Sequence, residues 1–164
     1  MATRTGERRL QILQTLAAMP YLAQVINETK RLCPVVPAIF GRARHDFEFD
    51  GHAIPAGAMV MWPVTPSHVA HGVYTDAAAF DPDRFSPARA EDSRHVHAFV
   101  PQGAGTYSGH KCPGFDFATC VMAVFTIVLL RGYRYALTAP ARELSFLKTP
   151  PEPKDGLRAT VTRR

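Results

Sequence analysis

The run Phe115–Leu130 is apolar nearly all round, and a helix of that composition has to be buried on most of its sides. A chain that carries it must fold around it. Immediately before it stands Phe99-Val-Pro-Gln-Gly-Ala-Gly-Thr-Tyr-Ser-Gly-His-Lys-Cys-Pro-Gly114, where four glycines and two prolines enforce an irregular loop. Cys112 therefore lies at the junction between that loop and the apolar helix. Glycines let the backbone approach a flat ligand, while the helix start and Lys111 favour a thiolate. A thiol so placed is aimed rather than merely packed.

The rest of the composition narrows the class. With 164 residues, 46% hydrophobic and 20% charged, the chain reads as one globular domain with a sizeable core. The net charge of +5 is scattered, apart from Arg4–Arg9 and Arg163–Arg164, and lacks the aromatic interleaving of a nucleic-acid surface. No nucleic-acid partner is expected. Three cysteines (Cys33, Cys112, Cys120) and a polar, charged N-terminus argue against a disulfide framework and a secretory signal, and for a cytoplasmic protein. The run Phe117–Leu130 is shorter than the about 20 residues of a bilayer crossing, so no membrane span is expected.

In chain order, residues 1–6 are expected to be disordered, and Leu10, Leu13, Leu16 and Ala17 recur at helical spacing through Glu7–Met19. Pro20 opens a second helix that stops before Pro34. Inside it, Glu28-Thr-Lys-Arg31 puts a carboxylate and a guanidinium on one face, where they can pair. His45–Phe49 alternates like a strand, Asp50-Gly51 supplies a hairpin turn, and Ala58–Trp62 is a second extended run. Ser67–Ala79 is polar and helix-compatible, with His68 and His71 expected at the surface. Phe80-Asp-Pro-Asp-Arg-Phe85 is a proline-directed turn whose Arg84 can reach a carboxylate bidentately, Glu28 being a candidate. Glu91–His97 reads as a surface loop. Tyr133–Leu137 and Leu157–Thr162 read as strands, and Pro140–Pro153 as irregular. His95, His97, His110 and Cys112 lack the paired spacing of a zinc site.

Three features thus stand in a fixed order: Glu-x-x-Arg on a helix, Phe-x-Pro-x-Arg-Phe, and a Phe…Gly…His-x-Cys-x-Gly loop before an apolar helix. In this order they resemble the C-terminal part of a cytochrome P-450, from about Met19 to the end of the chain. The resemblance implies a mainly α fold with small β-sheets: K helix, β-hairpin, meander, Cys-ligand loop and L helix, forming a single partial domain over residues 1–164. It makes Glu28, Arg31 and Arg84 a buried ion-pair set, and Cys112 the thiolate ligand of the iron of haem b (iron protoporphyrin IX), where thiolate donation favours O–O cleavage. His110 matches the position that donates to a haem propionate, Phe99 the residue that shields the sulfur, and Gly114 the one that admits the following helix close to the ring.

The departures carry information too. Thirteen positions separate Phe99 from Cys112, more than the family's usual loop, and the insertion resembles the fatty-acid peroxygenase branch, which uses hydrogen peroxide in place of a redox partner. The tail Thr149–Leu157 looks like that branch as well. Gly41 occupies the position where many members carry a propionate-binding arginine, with Arg42 and Arg44 as substitutes, and Phe115 stands where a polar residue is usual. The expected activity is hydroxylation of a small organic substrate, a fatty acid by the branch's precedent. The distal, oxygen-activating helix of a full-length member has no counterpart before Glu7. The competing expectation is therefore a truncated, non-catalytic remnant or interaction module.

Overall fold

A computed structural model describes residues 14–15, 18–70, 72–105, 110–138, 143–145, 147, 151–154 and 156–164. The stretch 1–6, His71 and most of the periodic run Glu7–Met19 lie outside the described residues. Helix α1 spans Pro20–Leu32, with proline in its first turn where no backbone N–H is needed. It ends at Cys33, whose N–H still bonds the Thr29 carbonyl, because Pro34 disfavours helical backbone at the residue before it. Helix α2 covers only Val64–His68, and α3 runs Phe115–Gly132.

The strands form two-stranded antiparallel ribbons. The strands β1 (Ala38–Arg42) and β4 (Met59–Pro63) pair with Gly41 opposite Val60 and Ile39 opposite Trp62. Nested between them are β2 (Phe47–Phe49) and β3 (His52–Ile54). Their turn is Asp50-Gly51, with φ of 50° and 75°, the left-handed pair that matches strand twist in a two-residue hairpin. The Ala58–Trp62 run expected from the sequence thus belongs to the outer ribbon, while Asp50-Gly51 closes the inner one. Further on, β5 (Tyr133–Leu137) pairs with β8 (Ala159–Arg163). Inside the stretch read as irregular, β6 (Leu144–Ser145) pairs with β7 (Glu152–Pro153).

Two packed regions hold these elements. In one, Ile26 of α1 and Ala123 of α3 are buried against each other, flanked by Leu22, Cys120 and Met122. In the other, Tyr74, Phe85 and Phe99 cluster, with Phe85 and Phe99 edge-to-face at 5.0 Å. Helix α3 departs from its sequence expectation. Among its described residues only Ala123 is fully buried, while Phe117, Val121, Val124, Phe125 and Val128 face outward. The reason is geometric: α1 packs on one face of the helix at Ile26 and Ala123, while Phe99 and Lys111 meet only its first residue, Phe115. By length and composition the 18-residue helix is also apolar enough to cross a membrane, which the shorter run Phe117–Leu130 did not suggest.

Candidate functional site: the ion-pair layer and the Cys112 loop

Glu28 and Arg31 are one helical turn apart, so the carboxylate meets the guanidinium side-on. Arg31 takes Glu28 bidentately, Nε to Oε2 at 2.6 Å and Nη2 to Oε1 at 2.8 Å, both side chains being fully buried. Arg84 adds one bond to the same carboxylate, Nε to Oε1 at 3.0 Å, and the Asp81 amide adds another at 2.9 Å. The sequence-derived set of Glu28, Arg31 and Arg84 is therefore assembled, with Arg31 rather than Arg84 as the bidentate partner. Burial alone would raise the Glu28 pKa. The Arg31 guanidinium, the Asp81 amide and Arg84 outweigh it and hold the carboxyl below its ordinary value.

The layer extends further than the sequence indicated. Arg84 Nη1 reaches Glu91 at 3.0 Å, and Glu91 also accepts from Arg89, Arg94 and the Thr75 amide. Glu91 is only 1% exposed, so the reading of Glu91–His97 as a surface loop fails at its first residue. A short 3-10 turn over Glu91–Ser93 points its carboxylate inward, where the charge of Arg84 offsets desolvation. Burial pushes the Glu91 pKa up, but the bonds from Arg89 and Thr75 win and bring it down to about 2. The last residue of α2 and the stretch after it take the remaining donors. Because that stretch forms turns rather than a helix, its carbonyls stay free. Arg31 donates to His68 O and Ala79 O, and Arg84 to Thr75 O and Ala79 O. Tyr74 lies under both guanidiniums, 4.8 Å from Arg31 and 5.7 Å from Arg84, and donates to the Ala98 carbonyl.

His68 is a second correction. Expected at the surface, it is fully buried, with Nδ1 2.9 Å from the Arg31 carbonyl and Nε2 3.0 Å from the Val100 amide. Its ring also stacks on Phe99 at 6.0 Å.

Beyond Val100 runs the Cys112 loop. Gly103 has φ +89°, and a Cβ there would collide with the His110 carbonyl oxygen, so only glycine fits. The Cys112 amide bonds Gln102 O at 2.8 Å, which returns the loop upon itself before α3 begins. Cys112 is a free, half-buried thiol, and a Cβ on Gly114 would sit 3.5 Å from its sulfur. Phe115 has a partner set suited to its unusual place. The Lys30 and Lys111 ammoniums lie 3.7 and 4.6 Å from its ring centre, and Phe99 packs edge-on at 6.4 Å. Lys30, which the sequence did not single out, is 5% exposed and bonds Phe115 O and Thr119 Oγ1 at 3.2 and 2.6 Å. Burial lowers its pKa to about 8.

Beside the loop lies an apolar groove of about 740 Å³. Its walls are Ile39–Gly41 of β1, Val60 and Trp62 of β4, and Gly103–Gly105, with His97 and His110 as its imidazoles. Gly41 leaves the β1 wall flat. Arg42 turns away to the Gly57 carbonyl at 2.9 Å, and Arg44 is exposed in the bend after β1. An apolar groove with His97 and His110 in its wall, beside the loop that carries a half-buried thiol, fits a largely apolar group with a hydrogen-bonding edge.

The comparisons with known proteins decide the family. The family model described as Cytochrome P450 matches residues 1–154. The chain belongs to the cytochrome P450 family. Cytochrome P450 26B1 of Danio rerio is 35% identical over 153 residues, covering 93% of this chain and 29% of its own length. Retinoic acid-bound cyanobacterial CYP120A1 superposes with a TM-score of 0.83 at 33% identity, over 92% of this chain and 34% of its own. Cytochrome P450EX alpha with myristic acid superposes with a TM-score of 0.74 at 28% identity, over 87% and 35%. This chain therefore spans about a third of the length of these P450 relatives. Its helices and small antiparallel sheets are part of the P450 fold.

Proposed function

We propose that this chain supplies the thiolate side of a P450-type monooxygenase or peroxygenase. The observation that carries the reading is Cys112 itself: a free, half-buried thiol where the glycine loop beside the apolar groove meets α3. Haem b bound there supplies activation of peroxide or dioxygen for oxygen insertion into a C–H bond, thiolate donation favouring O–O cleavage. The chain's own residues hold and orient that group. Cys112 ligates the iron, and its amide bond to Gln102 fixes the sulfur's approach. His110 donates to a propionate, a role that Arg42, held by the Gly57 carbonyl, and the exposed Arg44 leave to it. Phe99, packed between Phe85 and Phe115, keeps water from the sulfur side. Gly114 leaves room beside the sulfur.

The substrate class we infer is a hydrophobic carboxylic acid. Support comes from two structural neighbours, one holding myristic acid and the other retinoic acid. Peroxide as the oxidant rests on the long loop between Phe99 and Cys112; a redox partner is the alternative supply. The free cysteines suit a reducing, cytoplasmic setting.

Reconstitution with hemin tests the assignment. The ferrous–carbonyl form of the loaded chain is expected to show the strongly red-shifted Soret band of thiolate ligation, lost in Cys112→Ala. Stoichiometric hemin uptake with an unshifted band, or a band unchanged by the substitution, refutes Cys112 as ligand. A hemin-indifferent oligomer supports the non-catalytic remnant instead.

A further inference from the structure

His68 belongs to no motif that the family resemblance supplied, yet its surroundings are the most constrained of any histidine among the described residues. It is fully buried between α1 and the start of the ligand loop. Its Nδ1 faces the Arg31 carbonyl at 2.9 Å, and a carbonyl only accepts, so Nδ1 must carry the proton. Its Nε2 faces the Val100 amide at 3.0 Å, and an amide N–H only donates, so Nε2 must be bare. Both requirements are met by one species, the neutral Nδ1–H tautomer. The contact with Arg31 is reciprocal: the Arg31 guanidinium donates back to the His68 carbonyl at 2.7 Å. The ring also lies nearly parallel to Phe99, at 24°.

We propose that His68 is a positioning residue, a single-tautomer strut that ties the Glu28–Arg31–Arg84 layer to the backbone entering the Cys112 loop. Val100 is the point of attachment. From there the chain passes Gln102, whose carbonyl receives the Cys112 amide at 2.8 Å. The strut thus sets where the loop begins, and the Gln102–Cys112 bond sets where it ends. A second proton on the ring would put two N–H groups face to face at Val100. The charged group packed on His68 from α1 is Arg31, a cation, which opposes that proton. Burial and Arg31 lower the ring's pKa against the raising effect of the Arg31 carbonyl. The strut stands without any reading of function; only its consequence for an iron ligand rests on the role proposed for Cys112.

Long-range proton–nitrogen NMR correlation on the ligand-free chain reads the tautomer directly. The expected result is one neutral Nδ1–H species from pH 8 to pH 5.5. An Nε2–H species, a tautomer mixture, or titration near pH 6.5 overturns the proposal. Two variants then separate the ring's two bonds. His68→Asn places its amide near Nδ1 and forfeits the Val100 acceptor; His68→Gln reaches the Nε2 position and keeps it. Hydrogen exchange at Val100 and Cys112 should accelerate about tenfold or more in the first, with the amides of α1 unmoved, and stay near wild type in the second. Alkylation of Cys112 relative to Cys33 should follow the same order. Equal acceleration throughout the chain, or none, refutes a positioning role in favour of general stabilisation or irrelevance. Should either variant fail to fold, the tautomer of the unaltered chain still decides.

Discussion

Glu91 offers the sharpest quantitative test of the ion-pair layer. Glu91→Gln keeps the shape of the side chain and removes its charge, leaving Arg84 buried with Glu28 at 3.0 Å and the more distant Asp81 at 3.9 Å as its remaining carboxylates. The carboxyl is held down to about 2 from an ordinary 4.5. That difference corresponds to about 2–3 kcal/mol favouring the ionised form, after salt screening at the part-exposed Arg89 and Arg94. The sign follows from the direction. A carboxyl depressed in the folded state contributes fully above its unfolded pKa of 4.5 and loses that contribution as pH falls towards 2. Urea unfolding of the unaltered chain and of Glu91→Gln should therefore differ by about 2–3 kcal/mol at pH 7, and by about half of that at pH 3. The variant itself should be nearly flat across the window at this site. A difference below about 0.5 kcal/mol at pH 7, or one constant from pH 7 to pH 3, would falsify the view of Glu91 as the hub of Arg84, Arg89 and Arg94.

Other perturbations follow the same geometry. Lys30→Met should raise stability at neutral pH, because a buried ammonium with a pKa near 8 is penalised whenever it is charged. The unaltered chain should gain stability as pH rises from about 8 towards 10.5, so the two unfolding curves converge there. Gly103→Ala should cost at least about 1–3 kcal/mol in thermal unfolding and abolish hemin uptake, since its Cβ meets the His110 carbonyl oxygen. Arg84→Lys should lose about 3 kcal/mol despite its retained charge, because an ammonium cannot span Glu28, Glu91 and the Thr75 and Ala79 carbonyls together. Uptake unimpaired in Gly103→Ala, or an Arg84→Lys melt at the unaltered temperature, contradicts the respective reading.

Much of the scaffold was legible because its signals are local. Pro20 and Pro34 bound α1, Asp50-Gly51 turns the inner hairpin, and Glu28 and Arg31 share a helical face by spacing alone. What escaped depends on partners distant in the chain. Glu91 looks like any acidic loop residue until Arg84 and the Thr75 amide are brought to it. His68 reads as exposed because the groups that bury it, Arg31 and Val100, lie 37 and 32 residues away. Lys30 resembles a solvated helix lysine, and its burial comes from the first turn of α3. The opposite error affected α3, where composition announces a demand for burial but does not say which elements meet it. Of the candidate site residues, Cys112, His110, Phe99 and Gly114 fall around one loop. Arg42 bonds Gly57 because the backbone bonds of Ala43 with Gly57 and Ala58 bring the two ends of the ribbon together, which no single residue signals.

The ion-pair layer also has a direction in time. Its contributors run from Glu28 to Arg94, and every one precedes Gln102 and Cys112 in the chain. During synthesis the guanidiniums and carboxylates can therefore find one another before the Cys112 loop has left the ribosome. The loop, when it arrives, meets a surface whose charges are already paired, with the bare nitrogen of His68 waiting for the Val100 amide. Assembly of the sulfur site then becomes a local docking event on a finished platform, rather than a simultaneous search by distant parts of the chain.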